Sequence, residues 1–125
     1  MRLLLDTHSL LWWLNESPRL QERAAAAIAD SRNRVFVSCA TIWEISIKRN
    51  LGKLNVPDNF LTYVDREGFE LIPITEAHSW VAGALPLHHH DPFDRMLIAQ
   101  ADLEVLTIVT SDPMISRYGV PVLEV

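Results

Sequence analysis

Arg2-Leu3-Leu4-Leu5-Asp6-Thr7-His8-Ser9 is a run of leucines closed by an acid and followed by small polar residues. Consecutive apolar residues without alternation suit a strand covered on both faces, as in the interior of a parallel sheet. The stretch therefore predicts a buried strand over Arg2–Asp6 with Asp6 at its carboxyl end. Thr7-His8-Ser9 then opens a short helix through Leu10-Leu11-Trp12-Trp13-Leu14. Four further strands follow from the same kind of reading. Val35-Phe36-Val37 is β-branched and aromatic, and Phe69 to Ile74 is a strand ended by Pro73. Thr107-Ile108-Val109-Thr110 closes on Ser111-Asp112, and Val120 to Leu123 is an edge strand because Pro121 lacks the N–H a central position needs.

Helices fall between these strands. Ser17-Pro18 predicts a cap and a first-turn proline for a helix over Arg19–Asp30. Ser38 or Thr41 caps a helix over Ile42–Leu51, stopped by Gly52, in which Trp43, Ile47 and Leu51 recur at fours. Val56-Pro57-Asp58 starts another helix, through about Glu67, with Phe60, Leu61 and Val64 facing inward, and Thr75 caps a helix over Glu76–Ala84. Asp91 and Pro92 supply a cap and a first-turn proline for a helix whose apolar face is Phe93, Met96, Leu97 and Ala101. A last short helix runs from Pro113 to Tyr118. Strands alternating with helices predict a three-layer α/β/α fold with a mostly parallel central sheet, in a single domain over 1–125.

Composition narrows the function. Eleven Lys and Arg against 16 Asp and Glu leave a net charge of −5, which disfavours clamping nucleic acid by bulk positive charge. A metal-dependent nuclease stays open, because bound cations invert the local field. Leu3-Leu4-Leu5 is stopped at once by Asp6, so neither a membrane span nor a signal peptide is expected. A cytoplasmic location is expected, and Cys39, the lone cysteine, reads as a small core residue.

Four acids share one predicted rim. Asp6 ends the first strand and Asp112 follows the fourth, while Glu44 and Asp94 lie in the first turns of helices that begin at the same edge. Ligands in such sheets bind beyond the carboxyl ends of the strands. Each acid also has a plainer reading: Asp6 and Asp112 as helix caps, Asp94 at the capping-box position behind the cap Asp91, and Glu44 as a partner for Lys48 four residues on. Clustered carboxylates repel, and a hard divalent cation such as Mg²⁺ or Mn²⁺ relieves them. Arg95, Lys48, Arg49 and Lys53 are candidate contacts for nucleic-acid phosphates, although Arg95 could pair with Asp91. The run His88-His89-His90 does not converge as tetrahedral zinc requires, and His89 or His90 is expected to hydrogen-bond near the acids. Trp12, Trp13 and Trp43 read as core or as part of a docking surface.

Asp6-Thr7-His8, Thr41-Ile42-Trp43-Glu44-Ile45, His89-His90-Asp91-Pro92-Phe93-Asp94-Arg95-Met96-Leu97-Ile98-Ala99-Gln100-Ala101 and Thr110-Ser111-Asp112 resemble the PIN domain. More narrowly they look like the VapC-type endoribonuclease toxins of bacterial toxin–antitoxin pairs. The resemblance implies a Mg²⁺- or Mn²⁺-dependent ribonuclease that leaves a 5′-phosphate and a 3′-hydroxyl. It places an acidic quartet on Asp6, Glu44, Asp94 and Asp112, as metal and catalytic residues. Accessory hydroxyls fall on Thr7 and on Thr110 or Ser111, and Asp91 is either an outer acid of the site or only a cap. The resemblance also implies an antitoxin partner and a homodimer. The alternatives are a PIN-like nuclease with another RNA-processing role, or a silent partner-binding module. Two rivals of similar topology are excluded: a haloacid-dehalogenase-like phosphatase wants Asp-x-Asp where His8 stands, and a response-regulator receiver wants a late lysine, whereas no lysine follows Lys53.

Overall fold

The computed structural model describes all residues, 1–125. Its centre is a five-stranded sheet in the order β3-β2-β1-β4-β5, every neighbouring pair parallel. The strands are β1 (Arg2–Leu5), β2 (Arg34–Ser38), β3 (Glu70–Ile72), β4 (Thr107–Thr110) and β5 (Val122–Glu124). The expected three-layer fold is therefore observed, with a sheet that is wholly parallel. Pro121 precedes an edge strand, where its missing N–H costs no ladder bond.

The leucine run works as expected. Leu3, Leu4 and Leu5 are fully buried, and the two-residue period of a strand splits them between two cores. Leu3 and Leu5 pack with Val35, Val37 and Val109 against Leu10 of α1 (Thr7–Leu14), Ala24 and Ile28 of α2 (Glu22–Ala29) and Ile45 of α3 (Cys39–Asn50). The short α4 (Phe60–Arg66) adds Phe60 to this layer. On the other face Leu4, Phe36 and Ile108 meet Leu97, Ile98 and Ala101 of α6 (Pro92–Glu104) and Ile115 of α7 (Pro113–Ser116). The remaining helix, α5 (Glu76–Ala84), packs on α6.

Three local expectations need correction. The first helix after Pro18 begins at Glu22, because the Ser17 hydroxyl accepts the Arg19 N–H and closes a turn there. Helix α3 begins at Cys39, with Ser38 accepting the Ala40 N–H, so Glu44 lies in its second turn. The stripe at fours on α3 faces outward: Trp43 and Leu51 are each 60% exposed, while Thr41, Glu44 and Ile45 are buried. Turning the acid inward toward α1 rotates the tryptophan out, where it meets Phe93 edge-on at 5.3 Å. Leu61 is likewise exposed, and Val64 alone among the residues of α4 is buried.

Candidate metal centre

The strand order reverses between β1 and β4, since the chain runs outward through β2 and β3 on one side and through β4 and β5 on the other. That reversal opens a crevice at the carboxyl ends of the two strands. Asp6 leaves β1 beside β4, its N–H donating to the Val109 carbonyl at 3.2 Å. The Ser9 hydroxyl seals the same junction by donating to Val109 O at 2.9 Å. Asp112 follows β4 across the crevice, its N–H donating to Thr110 Oγ1 at 3.0 Å.

Three of the rim acids are also helix caps, so capping and site placement come from the same residues. Asp6 Oδ1 accepts the Ser9 N–H at 2.9 Å and starts α1. Asp112 Oδ1 accepts the Met114 N–H at 2.9 Å and starts α7. Asp91 Oδ1 accepts the N–H groups of Phe93 and Asp94 and starts α6. Each is stabilised by the positive end of its helix while leaving a second oxygen for other use. Asp6 Oδ2 and Asp94 Oδ1 accept no hydrogen bond from the protein.

Glu44 arrives from the second turn of α3 and is buried. Its Oε1 accepts the Thr7 hydroxyl, and its Oε2 takes the Lys48 ammonium at 2.6 Å. That ammonium is held above the ordinary lysine range, first by its bond to Glu44 and further by the charges of Asp91 and Asp94. Asp94 has no such partner. Burial, and then the charge of Asp91, push its carboxyl up to about 7, with His89 opposing and Asp6 and Glu44 adding to the rise. The imidazole of His89 lies 2.9 Å from Asp94 Oδ2 and 2.9 Å from Asp112 Oδ2. One ligand atom from each of these three residues falls within 4.8 Å of the others. An acid held near neutrality among further carboxylates marks a place short of positive charge, and hard oxygen donors are what Mg²⁺ and Mn²⁺ take. The residues present fit such an ion.

The accessory and basic residues divide. Thr110 is buried against Asp112, whereas Ser111 is exposed. Lys53 is exposed, and Arg49 pairs with Asp58. Arg95 departs from expectation. It is buried, and instead of facing phosphates or Asp91 it donates to the backbone carbonyls of Ala82, Leu85, Pro86 and His89 at 2.8–3.1 Å. A guanidinium with five N–H donors suits a helix end and a loop rich in orphan carbonyls. The spacing carried a hint, because Arg95 stands three and four residues before the buried Ile98 and Ala99. The three histidines diverge as expected: His88 packs on Tyr118 with ring centroids 5.1 Å apart, His89 reaches the rim and His90 is exposed. The role of Tyr118 had no sequence signal, since its hydroxyl acts on a loop 32 residues away.

A family model described as PIN domain matches residues 3–121. No curated protein matches the sequence. Among solved structures, VapBC2 from Rickettsia felis, bound to a DNA fragment from their promoter, aligns with a TM-score of 0.73 at 16% identity over 99% of this chain and 98% of that one. DNA-bound VapBC from Salmonella typhimurium aligns at 0.72 and 18%, over 99% and 98%. FitAcB from Neisseria gonorrhoeae aligns at 0.63 and 19%, over 97% and 96%. At these identities the likeness is one of fold.

Proposed function

The chain belongs to the PIN-domain family, and from that membership we propose that it is a divalent-metal-dependent endoribonuclease acting as the toxin of a toxin–antitoxin pair. The observation that carries the proposal is the convergence of Asp94 and Asp112 around His89, one ligand atom of each within 4.8 Å of the others, with Asp6 and Glu44 near enough for their charges to help push the Asp94 carboxyl up to about 7. Asp6, Asp94 and Asp112, with Glu44 completing the set, would hold Mg²⁺ or Mn²⁺. Such an ion, when bound, supplies an activated water and neutralises charge on the scissile phosphate.

The remaining work belongs to the chain's own side chains. Glu44, pinned at both oxygens by Thr7 and Lys48, keeps a fixed carboxylate at the rim to orient the attacking water. Thr110 holds the Asp112 backbone so that its carboxylate faces the crevice. Arg49 and Lys53 would meet RNA phosphates beyond the end of α3, and Lys48 would follow the charge of Glu44.

The VapBC and FitAcB likenesses support an antitoxin as partner and favour the toxin role over a separate RNA-processing role or a silent binding module. A groove of about 480 Å³ lined by Trp12, Trp13, Leu14 and Leu20 lies on the α1–α2 face and offers apolar surface to such a partner. A homodimer in the cytoplasm completes the proposed setting.

The test incubates purified protein with matched RNA and DNA oligomers in Mg²⁺ or Mn²⁺. RNA should be cut, leaving 5′-phosphate ends, and cutting should stop in EDTA and in Asp94→Asn with the fold intact. Cleavage that survives EDTA, or that prefers DNA, contradicts the proposal.

A further inference from the structure

The segment Leu85–His89 links α5 to the cap of α6, and its backbone is held from two sides. The Tyr118 hydroxyl donates to the Pro86 carbonyl at 2.7 Å and accepts the His89 N–H at 2.7 Å. From the other side, Arg95 Nη1 donates to the same Pro86 carbonyl at 3.0 Å and to the His89 carbonyl at 3.1 Å. Both polar groups of the His89 backbone are therefore engaged, by residues that lie outside the acidic set.

The ring is fixed as firmly as the backbone. His89 Nδ1 faces the Asp91 N–H at 3.3 Å, and Nε2 lies 2.9 Å from a carboxylate oxygen of each of Asp94 and Asp112. A nitrogen that meets an N–H donor must offer its lone pair, which puts the ring proton on Nε2. Histidines that ligate metals show the opposite arrangement, donating the second ring N–H to a carboxylate or carbonyl. His89, although it stands within the cation-sized cluster, is built as a donor.

We infer that His89 is a positioning residue whose Nε2–H donates to Asp112 while facing Asp94 Oδ2, that Tyr118 and Arg95 hold it in that role, and that a bound cation therefore meets oxygen donors alone. This rests on the proposed reading of the rim as a divalent-metal centre and deepens it. An all-oxygen set selects hard cations, Mg²⁺ and Mn²⁺, over the transition ions that imidazole attracts.

The experiment records two-bond ¹H–¹⁵N spectra of the histidines in the full chain, without metal and with Mg²⁺, alongside RNA-cleavage kinetics. His89 should show the Nε2–H tautomer in both conditions. Tyr118→Phe should mix its tautomers and lower kcat by roughly 10-fold, the scale of groups that orient metal ligands, with KM nearly unchanged. His89→Gln, which keeps an N–H at similar reach, should retain most of the activity that His89→Ala loses. A shift to Nδ1–H on adding Mg²⁺ would show Nε2 on the metal and overturn the inference, as would a Tyr118→Phe protein whose His89 signals and kcat match the parent. Should no form cleave RNA while His89 still reads as Nε2–H, the nuclease proposal fails and the positioning of His89 stands.

Discussion

The two ends of the sheet treat their carboxylates in opposite ways. At the amino end, Arg34 of β2 grips Glu70 of β3 through both oxygens, at 2.9 and 2.7 Å, and holds that acid below the ordinary range. The guanidinium groups of Arg2 and Arg34 also lie over the Phe36 ring, 4.9 and 5.1 Å from its centroid. At the carboxyl end, Asp94 is half-buried, and desolvation and the charges of Asp91, Asp6 and Glu44 push its carboxyl up to about 7. Lys48 bonds directly to Glu44 and acts on Asp91 and Asp94 only at a distance, and His89 lies between Asp94 and Asp112. Charges placed for folding come with partners. The carboxyl end has been left short of them, which is the mark of a site kept for a ligand rather than for stability.

The comparison breaks most sharply on activity. Asp94→Asn should lower RNA cleavage by at least about 10²-fold, the scale on which charge-stabilising groups act in active sites. Glu70→Gln should leave cleavage within error of the parent in the same assay. Equal losses from the two substitutions would remove the distinction between the two ends.

Stability should move in the reverse sense. Asp94 binds its proton more tightly folded than unfolded, so the metal-free native state carries more protons between about pH 4 and 7. Its stability should therefore fall as pH rises through that window and level off above about 7. Thermal melts in EDTA should show this slope, and Asp94→Asn should flatten it. At pH 8 the variant should melt a few degrees above the parent, roughly what 1 kcal/mol produces in a domain of this size. Adding Mn²⁺ at pH 8 should raise the melting temperature of the parent and not of Asp94→Asn, because an ion that binds only the native state stabilises it by mass action.

The smallest effect belongs to the amino end. Arg34 and Glu70 are both exposed, and surface pairs contribute little. Glu70→Gln should shift the melting temperature by no more than about a degree or two at any pH, and that change should shrink in high salt.

Much of this arrangement could be read from the chain, for reasons that differ between elements. Strands and caps are local: the leucine run, the Pro121 edge and the Asp91-Pro92 cap each depend on neighbours within a few residues. The rim was legible because strand ends are predictable places, so Asp6 and Asp112 had to share an edge once the sheet was parallel. Orientation was harder. The apolar stripe Trp43-Ile47-Leu51 suggested a buried face, yet α3 turns Glu44 inward, because Thr7 and Lys48 satisfy its carboxylate there. Arg95 departs from its sequence reading for a related reason. A cation beside acids invites an ion pair, but the orphan carbonyls at the end of α5 become visible only when the chain is folded. Tyr118 and Pro86 lie 32 residues apart and meet through topology that no local pattern encodes.

The most direct test of the carboxyl-end centre is calorimetric titration of Mn²⁺ into the metal-free protein at pH 8, beside Asp94→Asn and Glu70→Gln. The parent and Glu70→Gln should bind the ion with the same affinity, and Asp94→Asn should bind at least roughly 10-fold more weakly. Mn²⁺ binding by Asp94→Asn that equals the parent's would contradict the assignment of the rim as a metal centre.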